Sequence, residues 1–450
     1  MQQADPPIGV RDGRLCVEAR DAHGLAEQFG TPLYVVSAGT LRANVARHIA
    51  AWSSAWREGP FQLLPALKGQ NVLAVWRLLA ETGVGCDVFG HHELAIAMRA
   101  GIPPQRISLN GSKRPAHIAD AVARGVRLTV DHVDELAEIR DAAAAAGRTA
   151  HVRVRIRPDL TAYEAPSDFV PEEVPIGLAT QVYKPGVPLA DLVALDPREL
   201  APHVDLAGVH QHAARHSGAL AFWEAVATAT VTTIAALRDA WDGWLPREID
   251  LGGGFPSPAD GVGGRIERVV QGREVHTVEE YAGAVTGALR ATAAAADLPL
   301  EGVLLETEPG RAIFADTGIH LATVTRVKRQ EVPLRWAWVE VDTADVFLSD
   351  VITEHTRFAS VVADRADAPA TQVADLVGCS CNWDQLTEQA SLPDVAPGDV
   401  IAFLGTGCYE EVSAANFNAL PRPATVLVDG AEAVVARRAE TLDDVLSRDV

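Results

Sequence analysis

Lys68 closes the run Phe61-Gln62-Leu63-Leu64-Pro65-Ala66-Leu67, an apolar stretch of strand character that ends on one amine. A lysine so placed is expected to be desolvated. Burial lowers an amine's pKa and leaves the neutral form that can make a Schiff base. Taken alone, such a lysine is only a solvated strand end. Other groups change that. Asp250-Leu251-Gly252-Gly253-Gly254-Phe255-Pro256 offers consecutive glycines, whose amides can approach an anion closely and whose backbone can adopt φ > 0. The same run also fits a plain tight turn. Glu308-Pro309-Gly310-Arg311 sets an acid and a base around one turn. Arg311 can face a phosphate, and Glu308 can keep a pyridine nitrogen protonated, although a turn acid needs no such role. Cys381 and Tyr409 lie in loops further on. A reactive lysine, a phosphate cradle, an acid for a ring nitrogen and a remote thiol together point to pyridoxal phosphate (PLP).

Positioning these groups requires strand ends. Strand-like runs at Leu63–Leu67, Gly85–Val88, Arg106–Leu109, Arg127–Val130, Ala150–Ile156, Leu206–His210, Glu248–Leu251 and Gly302–Glu306 alternate with Ala-rich amphipathic stretches. That alternation predicts an α/β chain whose centre, 38–317, is a parallel (β/α)8 TIM-like barrel. Lys68, Asp87, Arg155, His210, His212, Gly252 and Glu308 all fall at or near predicted strand ends, where such barrels gather their chemistry. From Gly318 the helical period fades. Leu321–Val327, Trp336–Val341, Val400–Phe403 and Ala424–Val428 predict a C-terminal mixed β domain, 318–450. The first segment, 1–37, carries the strand-like Thr31–Val36 and is expected to join that domain. Asp159–Val174 is acidic, proline-bearing and aperiodic. It reads as a long loop near the barrel mouth.

The totals narrow the partners. The chain has 450 residues and a net charge of −21, which argues against nucleic acid and leaves room for an anionic ligand held by local arginines. No stretch looks apolar and long enough to cross a bilayer, and the N-terminus lacks the pattern of a signal peptide. The five cysteines are odd in number and scattered, unlike a disulfide framework, so the cytoplasm is the expected compartment. His210 and His212 could bind zinc, or one imidazole could stack on a cofactor ring. No well-placed second ligand set accompanies them, so no metal is expected.

In order along nearly the whole chain, these marks resemble fold-type III PLP-dependent decarboxylases, the group of diaminopimelate, ornithine and arginine decarboxylases. The matching stretches begin with Pro32-Leu33-Tyr34-Val35, Ala66-Leu67-Lys68 and Cys86-Asp87-Val88. Arg155-Ile156-Arg157-Pro158, Lys184-Pro185-Gly186-Val187 and Gly252-Gly253-Gly254-Phe255-Pro256 follow. The last are Glu308-Pro309-Gly310-Arg311, Cys381 with Asp384, Gly407-Cys408-Tyr409 and Pro421-Arg422-Pro423. The resemblance implies roles. Lys68 would carry PLP, His212 would stack on its ring, and Glu308 would pair with the ring nitrogen. Gly253, Gly254, Arg311 and Tyr409 would hold the phosphate, with Asp87 and Arg155 around Lys68 and the ring. Cys381 would come from a second subunit and reprotonate the α-carbon, which implies a homodimer with shared active sites acting on a small-molecule amino-acid substrate.

Departures from the pattern cluster where the substrate's distal end is read. The Gly-Ser pair usual after the stacking histidine is replaced by Ala214-Arg215, and Arg215 could serve the phosphate or a second acid on the substrate. The glutamate common after the loop cysteine in diaminopimelate decarboxylases is Asn382 here, followed by Trp383 and Asp384. The Arg-Pro-x-x-Tyr stretch of those enzymes is absent near Asp345–Thr353. Arg215, Asn382 and Asp384 are thus the expected substrate-binding residues, with a substrate other than meso-diaminopimelate. Racemisation or another reaction at Cα on the same cofactor is the alternative. A catalytically silent binding homologue and a zinc hydrolase are the remaining readings.

Overall fold

A computed structural model describes residues 6–163, 175–213, 215, 217–257, 269–270 and 273–450. Eight parallel strands form one sheet in the order Phe61–Leu63, Leu304–Thr307, Glu248–Asp250, Val204–His210, Ala150–Arg155, Arg127–Val130, Ile107–Leu109 and Cys86–Val88. The two ends of this sheet meet through a parallel bridge between Ala66 and Asp87, with Gly85 N–H donating to the Leu63 carbonyl and Asp87 N–H to that of Pro65. The expected barrel is therefore present, and its closure lies beside Lys68.

The lysine segment differs from its expected form. Regular strand stops at Leu63, and Leu67–Gly69 is a single 3-10 turn. Pro65 has no N–H to give, yet Leu64 and Ala66 still donate to Thr307 and Pro309 on the neighbouring strand. The chain stays in the wall to Ala66 and then turns inward, so Lys68 sits one turn past the wall.

The strands are largely apolar runs because each is buried on both faces. Val152, Val154, Leu128, Val130, Ile107 and Leu109 are all inaccessible and pack into one core with the surrounding helices. Those helices are Ala38–Ala55, Leu73–Glu81, His91–Ala100, Pro115–Arg124, Asp134–Ala146, Leu220–Ala240 and Val278–Ala295. Several stop at a left-handed glycine, as at Gly101, Gly125 and Gly147, while Thr277 and Glu280 form a capping box at the start of Val278–Ala295. Leu220–Ala240 corrects one expectation. It is 21 residues long with a mean hydropathy of 1.5, enough by length and composition to cross a membrane. It buries Phe222, Trp223, Val226, Val231 and Ile234 and packs along Val278–Ala295.

The second sheet has nine strands. Its long central strand, Gly318–Gln330, pairs with Trp336–Val341, Val400–Leu404 and Leu33–Ser37. Leu33–Ser37 also pairs in parallel with Ala424–Asp429, so the N-terminal segment is stitched into the C-terminal sheet as expected. Ser360–Val362, Gln372–Val377, Gln385–Leu392 and Glu432–Arg437 complete it. Most of the long loop expected over Asp159–Val174 lies outside the described residues.

Candidate active site

Side chains that point into the barrel form two polar layers. The lower layer is a buried ion network. Arg153 pairs with Asp250 at 2.7 Å and with Glu306, and Arg127 pairs with Glu306 at 2.8 Å. Arg153, Asp250 and Glu306 are fully inaccessible. Unpaired, any one of these charges would carry a large desolvation cost, so the network has to be satisfied as a unit.

The upper layer centres on Glu308. Its Oε1 accepts from Asn110 Nδ2 at 2.8 Å, and Ser108 Oγ stands 3.4 Å away. Its Oε2 lies 3.0 Å from His210 Nε2. Burial, and then the nearby charge of Asp87, raise the Glu308 carboxyl to about 7, against the pull of Arg153, Lys68 and Asn110. Burial lowers His210 to about 3, so its ring is neutral, with Nε2 facing the Glu308 carboxyl. Asn110 also donates to Asp87 Oδ1 at 2.6 Å and so bridges the two carboxylates.

Asp87 Oδ2 accepts from Lys68 Nζ at 2.8 Å. This overturns the expected lowering of the lysine. Burial does pull the amine down, but Asp87, Tyr409 and Glu308 outweigh it and hold Lys68 above the usual lysine range. A strand of apolar residues does not show which carboxylate will meet its last side chain.

Lys68 opens into a cavity of about 390 Å³, lined also by His212, Gly254, Glu308, Arg311 and Tyr409. His212 follows the strand Val204–His210, and its Nδ1 accepts from Gly253 N–H at 3.1 Å, which fixes the ring. Burial, then Arg155 and Lys68, keep this imidazole well below its ordinary pKa. Arg155 is buried close by, and burial lowers it despite Asp131 and Glu308. The glycine turn is built for close approach. A Cβ at Gly253 would stand 2.2 Å from the Glu308 carbonyl oxygen, and Gly254 has φ +100°. Arg311 pairs with Asp350 at 2.7 Å and stacks over Tyr409 at 4.9 Å. Its Nε is buried without a hydrogen-bond partner. Burial and then Cys408 push the Tyr409 hydroxyl up to about 12, so it is a neutral donor.

These residues fit PLP. Glycine amides, a guanidinium with an unused donor and a phenol suit a phosphate. A deep carboxylate suits the ring nitrogen, a flat imidazole suits a ring face, and one amine stands within the same cavity. His210, Asp250 and Glu308 could by spacing surround a cation, since their ligand atoms lie within 4.8 Å of one another. Their oxygens are already engaged, Asp250 by Arg153 and the Gly252 N–H, and Glu308 by Asn110 and His210. His210 and His212 turn to different partners and make no metal pair.

The remaining expected residues lie elsewhere. Cys381 is exposed on the second domain, its amide donating to Asn418 Oδ1 at 2.9 Å, and it does not line the Lys68 cavity of its own chain. Asn382 donates to Asp345 at 3.1 Å. Asp384 is turned into its own loop. Its oxygens accept from the Asp345 and Ser380 amides, each at 2.6 Å, so its observed contacts shape the loop and do not face the cavity. Arg215 does line the cavity, where it pairs with Glu354. Asn110, Asp350 and Glu354 were not anticipated. The signal for Asn110 was a polar pair, Ser108 and Asn110, of one parity at the end of a strand.

Residues 42–315 match the family described as pyridoxal-dependent decarboxylase, pyridoxal binding domain. A diaminopimelate decarboxylase of Actinosynnema pretiosum subsp. auranticum is 32% identical over 99% of this chain and 95% of its own length. The crystal structure of diaminopimelate decarboxylase from Methanocaldococcus jannaschii superposes with a TM-score of 0.85 at 26% identity, covering 98% of this chain and 97% of that one. The same enzyme has been solved in co-complex with L-lysine, with the same TM-score, identity and coverage.

Proposed function

The chain belongs to the pyridoxal-dependent decarboxylase family, and we propose that it decarboxylates an amino acid other than meso-diaminopimelate in a dimer that shares its active sites. PLP-dependent amino-acid decarboxylation is the activity of the family and of the relatives that match along the whole chain. The observation that carries the assignment of roles is that Lys68, Glu308, His212, Gly254, Arg311 and Tyr409 line one cavity.

Bound there, PLP supplies an electron sink conjugated to the substrate's α-carbon. Lys68 is the amine that holds it, and Asp87 keeps that amine charged when it is free. Glu308, oriented by Asn110 and His210, holds a proton on the ring nitrogen. Gly253, Gly254, Arg311 and Tyr409 would bind the phosphate, and His212 would cover a ring face, with Arg155 buried nearby. Cys381 is exposed and does not line the cavity of its own chain, which fits delivery to the cavity of a second copy, where its thiol would give a proton to the α-carbon. The distal substrate is read by Arg215 and by the loop that carries Asn382 and Asp384. No basic residue occupies 345–354, and Glu354 pairs with Arg215. These features support a substrate different from that of the diaminopimelate relatives. The cytoplasm remains the proposed compartment.

The test is a panel of L- and D-amino acids and meso-diaminopimelate, incubated with the PLP-loaded protein in deuterated water. The expected result is CO2 release with one deuterium at the former α-carbon. Deuterium uptake with the carboxylate retained would mean racemisation. Efficient turnover of meso-diaminopimelate would refute the substrate proposal. Mixing inactive Lys68→Met and Cys381→Ser proteins tests sharing. Activity should reappear in the mixture, and its absence would refute the shared site.

A further inference from the structure

We propose that the Arg215–Glu354 ion pair selects substrates whose distal end is an uncharged carbonyl, an amide above all. This rests on the decarboxylase reading of the Lys68 cavity and names its substrate class. The two residues come from different domains. Arg215 follows His212 on the barrel loop, and Glu354 follows the short helix Asp350–Thr353 of the second domain. Both line the Lys68 cavity, and they meet across it. The Arg215 side chain is 45% exposed and that of Glu354 12%, so an incoming group meets guanidinium donors first and a largely covered carboxylate behind them.

That arrangement disfavours either charge. A distal ammonium would face Arg215 before it could reach Glu354. A distal carboxylate could use the free edge of Arg215, but Glu354 and Asp350 stand on the same wall. Arg311 already balances Asp350, and the PLP phosphate claims that same arginine. An amide needs neither residue to give up its partner. Its oxygen accepts from Arg215 and its N–H donates to Glu354. Polar sites that must stay paired reject analogues that cannot pair with them.

Equilibrium binding to the holoenzyme tests this, using amines of the kind decarboxylation would leave. The probes are γ-aminobutyramide, γ-aminobutyrate and putrescine, with homologues one carbon shorter and longer, measured by calorimetry. The amide should bind at least about tenfold tighter than both charged amines at its best length. Glu354→Gln should transfer the preference to the carboxylate, and Arg215→Gln should transfer it to the diamine. A charged amine binding as tightly as the amide at every length would overturn the proposal. So would correctly folded variants that keep the wild-type order. CO2 release from the matching amino acids reports separately on the parent reading. Release with a charged substrate preferred overturns only the amide inference. Amide-first binding with no CO2 from any amino acid leaves the subsite standing and refutes the decarboxylase assignment of the cavity.

Discussion

Glu308→Gln should make the cofactor-free protein more stable at alkaline pH while it disables the site. The Glu308 carboxyl is raised from 4.5 to about 7, mainly by burial and by Asp87. The folded state therefore holds this proton more tightly than the unfolded chain does. Between these two values the folded state carries more protons, so ionisation costs stability as pH rises and the full cost is present above the folded pKa. Integrating between the two pKa values gives a cost of about 3 kcal/mol at pH 8 and about 1 kcal/mol at pH 5. Glutamine removes that cost. It also loses one hydrogen bond, because its amide group has one acceptor oxygen while Asn110 and His210 both donate to the carboxylate. That loss is about 1–2 kcal/mol at either pH. The variant should thus gain roughly 2 kcal/mol on wild type between pH 5 and pH 8. Asp250, which Glu308 also raises, titrates in the same range, and its relief in the variant adds to the gain in the same direction. Urea unfolding of both cofactor-free proteins at the two pH values measures this double difference. A double difference of zero, or of opposite sign, would show that Glu308 is not a high-pKa carboxyl. CO2 release from the loaded variant should be lost at both pH values.

Gly253→Ala should raise the Kd for PLP by at least about tenfold with the fold retained, because the new Cβ would stand 2.2 Å from the Glu308 carbonyl oxygen. Fluorescence titration of the cofactor checks this. Asn110→Ala removes the donor shared by Asp87 and Glu308, so two carboxylates lose their screen and Glu308 rises further. The acid limb of the kcat/KM profile should move to higher pH, and an unmoved limb would refute the bridge. Asp384→Ala leaves the Asp345 and Ser380 amides without their acceptor, at a cost of about 1–3 kcal/mol each where they are buried. The Cys379–Asp384 loop should loosen and Cys381 should alkylate faster, with little change in PLP affinity.

The barrel was legible because its strands are short apolar runs cut by helices of contrasting period. Arg127–Val130 has its expected limits, and a left-handed Gly125 ends the helix Pro115–Arg124 just before it. The edge of the second sheet was not. Gln385–Leu392 reads Gln-Leu-Thr-Glu-Gln-Ala-Ser-Leu, and only Leu386, Ala390 and Leu392 are buried. A strand with one dry face and several polar or small residues carries little period to find. Its place is set by pairing with Gln372–Val377, a contact between segments that sequence pattern does not express.

The site shows the same division on a smaller scale. Lys68, Gly253, Gly254, Glu308 and Arg311 could be singled out because each breaks a local pattern at a strand end. What each does depends on a neighbour from another strand. Arg153 and Arg155 share one parity, as do Glu306 with Glu308 and Ser108 with Asn110, and these residues face the barrel axis. Parity on each strand marks which side chains turn inward. It does not rank them by depth, and depth separates their tasks. Arg153 lies one step below Arg155 and is consumed by Asp250 and Glu306. Glu308 lies one step above Glu306 and keeps a carboxylate for the cavity. A buried ion network beneath the site costs desolvation, but it fixes a positive charge under Glu308 without competing for the cavity. Arg153 therefore belongs to the chemistry through its field on Glu308, although it does not line the cavity.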